Sequence, residues 1–154
     1  MEALLAAVIL AVAITAITVP FTAAAQNQQD EARSTLAVSL AQGMMEEILS
    51  KPFRDPQGST QVGPDPGETS RSLFDNIDDY DGYTEGPGQI VTLNGKLVND
   101  PAGVGLSRHV STTYVYVSDQ NTTVPSTFIR VTVTMKYRNQ SVVILTRLAY
   151  AMQP

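Results

Sequence analysis

From Ala3 to Gln29 the chain carries no charged side chain, and from Ala3 to Ala25 its only polar side chains are the hydroxyls of Thr15, Thr18 and Thr22. A threonine hydroxyl can bond back to a carbonyl one turn earlier in its own helix, so the segment reads as an apolar helix long enough to span a bilayer. It does not stop there. In QNQQDEARSTLAVSLAQGMMEEILSKPF, Leu36, Leu40, Met44 and Ile48 recur at four-residue steps with Ala37, Ala41, Met45 and Leu49 beside them, which is the spacing of one helix face. Lys51 falls in the expected last turn and Pro52 at the stop. Together these predict one helix of about 50 residues and roughly 75 Å, a rod longer than the fold of so small a chain requires.

Two residues of the rod are out of character for a lipid anchor. Glu2 puts a carboxylate at the head of the apolar run, and an acid well inside hydrocarbon costs on the order of 2.5 to 3.5 kcal/mol, which makes it a functional candidate. Pro20 removes one helix hydrogen bond and clashes with the turn before it. A tolerated membrane kink would account for Pro20 alone. A cleavable signal ending at Ala23 to Ala25, or a plain single-pass anchor, would account for the apolar run. Neither explains why the helix runs on past Gln29, and the signal reading also lacks a basic start, because Glu2 stands there.

The rest of the chain divides by composition. Residues 1–28 form the apolar half of the rod and 29–154 a head, made of the amphipathic half (29–52), a loop region (53–105) and a sheet (106–153). The loop region is rich in Gly, Pro, Asp and Ser without a sustained period. Within it QIVTLNGKLV sets Asn94-Gly95 between two apolar stretches and predicts a small two-stranded ribbon. Beyond it, Ile129, Val131, Val133, Met135 and Tyr137 alternate with Arg130, Thr132, Thr134 and Lys136. A turn at Arg138 to Gln140 follows, then Val142, Ile144, Thr146, Leu148 and Tyr150 alternate with Val143, Leu145, Arg147 and Ala149. With His109 to Val117 as a preceding strand, the expected result is a three-stranded antiparallel meander. Its apolar face needs a cover, and Leu36 to Leu49 is the cover on offer.

That plan, with Glu2-Ala-Leu-Leu-Ala-Ala-Val-Ile-Leu at the start, Pro20, the continuation through AQGMMEEILSKPF and the strands FIRVTVTMKY and VVILTRLAY, resembles the type IV pilin and pseudopilin family. The resemblance covers most of the chain in plan and about the first 50 residues in motif. It implies an α+β pilin fold and a structural, non-enzymatic role as the repeating subunit of a type IV pilus-like helical filament. A pseudopilin of a type II secretion system is the alternative within the family, and a monomeric membrane-anchored binding protein the alternative outside it. The filament core would pack Leu4, Leu5, Val8, Ile9, Val12, Ile14 and Ile17. Glu2 would pair with the terminal amine of a neighbouring subunit. The stretch from Ala11 to Pro20 would kink or partly unwind on leaving lipid.

The implied partners are identical subunits, the inner membrane before assembly, a prepilin peptidase and an assembly platform. The implied location is the inner membrane and then an extracellular filament, or a periplasmic pseudopilus. The family's mature chain usually carries three more residues before the one preceding the glutamate. Either a leader and a few residues therefore precede Met1, or Met1 is itself the mature end. Pro20 lies about one residue further from the glutamate than is usual.

Other chemistry finds little support. A net charge of −5 gives no footprint for phosphate backbones, so nucleic acid is not an expected partner. There is no cysteine, hence no disulfide, thiolate nucleophile or thiolate metal ligand. His109, the single histidine, reads as a strand residue with no triad to complete. In FDNIDDYDGYTEG, Asp79, Asp81, Gly82 and Glu85 fall at EF-hand spacing, but Ile77 and Gly88 occupy the first and last ligand slots. The stretch therefore reads as a solvated acidic turn. Because some pseudopilins hold calcium between helix and sheet, Asp75, Asp78, Asp79 and Asp81 stay as candidate Ca2+ ligands. Asn121-Thr-Thr and Asn139-Gln-Ser match glycan acceptor patterns on turn-like segments.

Overall fold

The structure, a computed structural model, describes residues 2–59, 61–117 and 126–151. Its order is one long helix, a loop region with three short 3-10 turns, and a sheet. Helix α1 runs from Glu2 to Leu49, unbroken through Pro20, so at 1.5 Å per residue it is roughly 72 Å long. It stops two residues earlier than the sequence predicts. Ser50 bonds back to Glu46 and Glu47, and Lys51, expected in the last turn, lies beyond the end and donates Nζ to the Phe74 carbonyl at 2.5 Å. Pro52 disfavours the helical region for the residue before it, so Lys51 leaves the helix and its side chain reaches across to the loop.

Only the second half of α1 is covered. Ala37, Ala41, Met44, Met45 and Ile48 are buried, at offsets of four, seven, eight and eleven from the first, a single stripe. Leu36 and Leu40 flank it half-buried. The two alanines let the helix backbone approach the sheet closely. Leu49 was expected beside the stripe but remains 39% exposed, one step off the covered face at the helix end.

The sheet is antiparallel with four strands in the order β1 (Thr84–Glu85), β2 (Leu106–Val115), β3 (Phe128–Tyr137) and β4 (Gln140–Tyr150). The expected meander is β2–β3–β4, with β2 starting three residues before His109. The addition is β1, two residues of the loop region that pair Thr84 with His109 and Glu85 with Arg108. Period-two alternation cannot mark a strand this short. The predicted ribbon is correspondingly small: one bridge between Val91 and Leu97, closed by Thr92 N–H to Lys96 O at 2.8 Å.

Leu106, Val110, Ile129, Val131, Val133 and Met135 face α1 and are buried, with Val143, Leu145 and Ala149 of β4 packed at their edge. Arg138 and Asn139, both at positive φ (49° and 66°), form the two-residue turn between Tyr137 and Gln140. That is the backbone of a turn whose twist matches its strands. Between Met135 and Lys136 the register slips, and Val142 is the extra residue on β4.

Two glycines make opposite predictions. Gly43 sits mid-helix with open space around a would-be Cβ, so Gly43→Ala should raise stability by roughly 0.5 to 1 kcal/mol. Gly105 has φ +82° and a would-be Cβ 2.9 Å from Tyr137 Cε2, so Gly105→Ala should lower the melting temperature. Thermal melts of the two variants beside the parent chain check both.

Candidate functional site

The residues singled out at the start of the chain lie on one exposed cylinder. Glu2 is the first residue of α1, and Leu4, Leu5, Val8, Ile9, Val12, Ile14 and Ile17 are each 57 to 74% exposed, with Leu10, Val19 and Phe21 in the same range. Residues 2–32 are exposed throughout, roughly 46 Å of helix at 1.5 Å per residue. One helix is thus long and apolar enough to cross a membrane.

Inside that helix the threonines behave as expected. Thr15 donates to Val12 O at 2.9 Å and Thr22 to Val19 O at 2.9 Å, while Thr18 bonds to Ile14 O. Each hydroxyl is satisfied within the helix, which keeps the surface apolar in effect. Pro20 has no N–H for the Ala16 carbonyl, yet the helix continues past it. At the boundary between the free and covered halves stands Arg33. It pairs with Asp30 and lies over the Tyr137 ring at 3.9 Å, a cation–π seat that fastens the neck of α1 to the end of β3.

The covered half is held by a polar chain, buried at Glu85 and Arg108 and half-buried at Glu47 and Arg71, that sequence reasoning missed. Glu47 on α1 accepts Nε of Arg71 at 2.7 Å and the Tyr80 hydroxyl at 2.8 Å, and its second oxygen pairs with Arg71 Nη2. Arg71 Nη1 reaches Glu85 Oε1 at 3.4 Å, which also accepts the Tyr83 hydroxyl at 2.9 Å. Glu85 Oε2 pairs with Arg108 on β2, and Arg108 donates to Leu40 O at 3.2 Å and Val91 O at 3.0 Å. Helix, loop, β1 and β2 are thereby tied by four charges that largely cancel. Phe74, Tyr80 and Tyr83 stack edge to face around it, with ring centroids 5.0 to 6.3 Å apart.

The charges shape one another. Burial alone would raise the Glu47 carboxyl, but the Arg71 and Tyr80 hydrogen bonds and the Arg71 and Arg108 charges outweigh it and hold it below the ordinary value. Burial pushes the Tyr83 hydroxyl up to about 12, aided by Glu85. The only sequence signal for this network was the presence of charges inside otherwise apolar or loop stretches. Their partners lie 14 to 24 residues apart or further, so no local spacing could pair them.

The four aspartates proposed as Ca2+ ligands do not form one donor set. Asp79 Oδ2 accepts the backbone N–H of Asp75 and of Asn76 at 2.8 and 2.9 Å. Asp81 Oδ1 accepts Thr112 N–H at 2.8 Å, turning it toward β2. Asp78 is buried against the Tyr114 hydroxyl. Among the described residues, the carboxylates that converge are those of Glu68, Asp75 and Asp79, with oxygens within 4.8 Å of one another, and these could hold a hard cation. Of the candidate glycan acceptors, Asn139 stands exposed at the β3–β4 turn, and Asn121 lies outside the described residues. His109 is a half-buried strand residue opposite Thr84 and Thr134.

Two predictions follow from the charges. Glu47→Leu removes both short partners of the largely buried Arg71 guanidinium and leaves it Glu85 Oε1 and Val91 O at 3.4 Å, and should cost about 3 kcal/mol or more, read by denaturant unfolding. Burial raises the Asp78 carboxyl from the ordinary 3.8 to about 6. A raised carboxyl binds its proton more tightly when folded, so its contribution favours folding below 3.8 and is lost as pH climbs through about 6. Asp78→Asn should therefore stabilise the chain by roughly 2 kcal/mol at pH 7 and have little effect near pH 3.5, as measured by melts across that range.

Comparison with protein-family models, with curated proteins and with solved structures finds no match to this chain, so its functional reading rests on the geometry of α1 and its seat.

Proposed function

We propose that the chain is the structural subunit of a type IV pilus-like helical filament, with a pilin fold, assembled through the exposed half of α1. The observation that carries the reading is the run of ten large apolar side chains from Leu4 to Phe21, every one at least 57% exposed, on a helix whose other half is rigidly seated. Covering such side chains is worth about 1.5 to 3 kcal/mol each, so the segment needs lipid or other copies of itself around it. A cleavable signal or a plain anchor would meet the first need without the second. Neither requires a helix that runs unbroken from the apolar half into the core of the head.

Glu2 favours the second surrounding. A carboxylate inside hydrocarbon is costly, whereas one facing a neighbouring subunit's amine is compensated and sets the axial register. Pro20 and the self-bonded threonines give the free half a place to bend as it passes from lipid into a helical bundle. Because the apolar half of α1 is exposed all round, one side of each copy can pack on a different side of the next, a heterologous contact that stays open and gives a fibre. Before assembly the same helix would hold the subunit in the inner membrane. A periplasmic pseudopilus obeys the same physics.

Full-length chain purified in detergent should form filaments visible by electron microscopy when the detergent is removed. Glu2→Ala should reduce filament yield by roughly tenfold while leaving the melt of the head unchanged, since the uncompensated alternative differs by more than about 1.4 kcal/mol. Parent chains that stay monomeric, together with a Glu2→Ala variant indistinguishable from them in every assay, would establish the membrane-anchored binding protein instead.

A further inference from the structure

The head divides its charge between two faces. Residues 55–81 hold seven acids, Asp55, Asp65, Glu68, Asp75, Asp78, Asp79 and Asp81, against one base, Arg71; Asp78 and Asp79 are buried, so Asp55, Asp65, Glu68, Asp75 and Asp81 are the acids at the surface. That arginine is consumed internally by Glu47 and Glu85. The acids that remain are crowded: burial raises the Glu68 carboxyl, and the charges of Asp79, Asp75 and Asp65 raise it further. Among these acids Val62 and Leu73 stand 54% and 51% exposed, and an open hollow of about 600 Å³ lies between Gln57, Asp65 and Glu68.

Strands β3 and β4 are the reverse. From Ser126 to Tyr150 there are four bases, Arg130, Lys136, Arg138 and Arg147, and no acid. On the outer face of the sheet, away from α1, β4 carries an apolar row, Val142, Ile144, Leu148 and Tyr150, 40 to 63% exposed. Arg130 lies opposite Leu148 in the register, and Lys136 stands two positions beyond Thr134, the partner of Ile144. β4 is also the last strand of the sheet. The face is thus an apolar row bordered by bases on an edge strand.

We infer that the outer face of β4 docks on the acidic loop, residues 55–81, of a second copy of this chain, with Ile144 and Leu148 against Val62 and Leu73 and Arg130 against the Asp65–Glu68 acids. This rests on the filament reading and assigns the contact between heads. The occupant is set by complementarity in both respects, apolar to apolar and basic to acidic. Two outer faces brought together would have no acid to offset Arg130 and Lys136, so that symmetric contact lacks the charge complementarity. The contact is therefore directional, as an open fibre requires.

The absence of cysteine makes the test clean. Full-length chain carrying Leu73→Cys and Leu148→Cys is assembled by detergent removal and treated with a short bis-maleimide. A ladder of covalent multimers is expected from the double variant, and single-cysteine chains should remain monomeric on a denaturing gel. Arg130→Glu placed on the double variant tests the charge without touching the apolar row. It should reduce the ladder about threefold at low salt and less at high salt.

Filaments that form without a ladder overturn the docking and leave the filament reading standing. Dimers from Leu148→Cys alone overturn it too, since they report a symmetric contact. Failure of the parent chain to form filaments overturns both. Melts matching the parent confirm that the variants fold.

Discussion

The largely buried chain Glu47–Arg71–Glu85–Arg108 is the interaction on which the rest of the structure depends. The loop region between α1 and the sheet has no regular period of its own, and long loops of that kind stay ordered only where they are fastened. Here the fastening is ionic at its centre and aromatic at its rim. Glu47 comes from the helix, Arg71 and Tyr80 from 3-10 turns, Glu85 from β1 and Arg108 from β2. Burying four charges is unfavourable unless each is paired, and the alternation of two carboxylates with two guanidiniums meets that condition. Such a network does less for net stability than for uniqueness: it allows one placement of the loop against the helix.

That placement has a mechanical consequence. With the second half of α1 fixed by Ala37, Ala41, Met44, Met45 and Ile48, and its neck held by Arg33 over Tyr137, the first half projects as a rod from a firm base. A force applied to the apolar half is passed to the sheet through close packing and not through a linker. The proposed filament needs this property, because subunits joined by their helices have to carry load through the join to the head. Bending is left to the exposed stretch near Pro20, where no part of the head restrains it.

The legible parts of the fold were those governed by local period. Four-residue steps in Leu36 to Ile48 marked the covered helix stripe, and alternation in Ile129 to Met135 marked the inward face of β3. Both follow from side-chain direction alone, which any backbone of that type repeats. The illegible parts were long-range. β1 is two residues long and exists because Glu85 meets Arg108. The Asn94-Gly95 turn formed and Val98 N–H bonds to Ile90 O across it, but the Val91 carbonyl turns to Arg71 and Arg108 and only one bridge remains. The acidic loop displayed its aspartates, yet their division into Asp81 toward Thr112, Asp78 toward Tyr114 and Asp79 toward its own backbone depends on how the loop is wrapped.

On β4 the distinction is sharpest. Both of its alternating rows contain apolar residues, Val142, Ile144, Leu148 and Tyr150 on one side and Val143, Leu145 and Ala149 on the other, so hydrophobicity cannot choose the inner face. The bulge at Val142 and the pairing with β3 turned Val143, Leu145 and Ala149 inward and left the other row in solvent. The residues by themselves determined that there would be a long helix, half of it apolar all round, and an antiparallel sheet with one face to cover, because each depends only on the order of neighbouring side chains. Only the tertiary structure decided which charges meet in the core and which apolar row stays outside, because each depends on residues that the chain brings together from far apart.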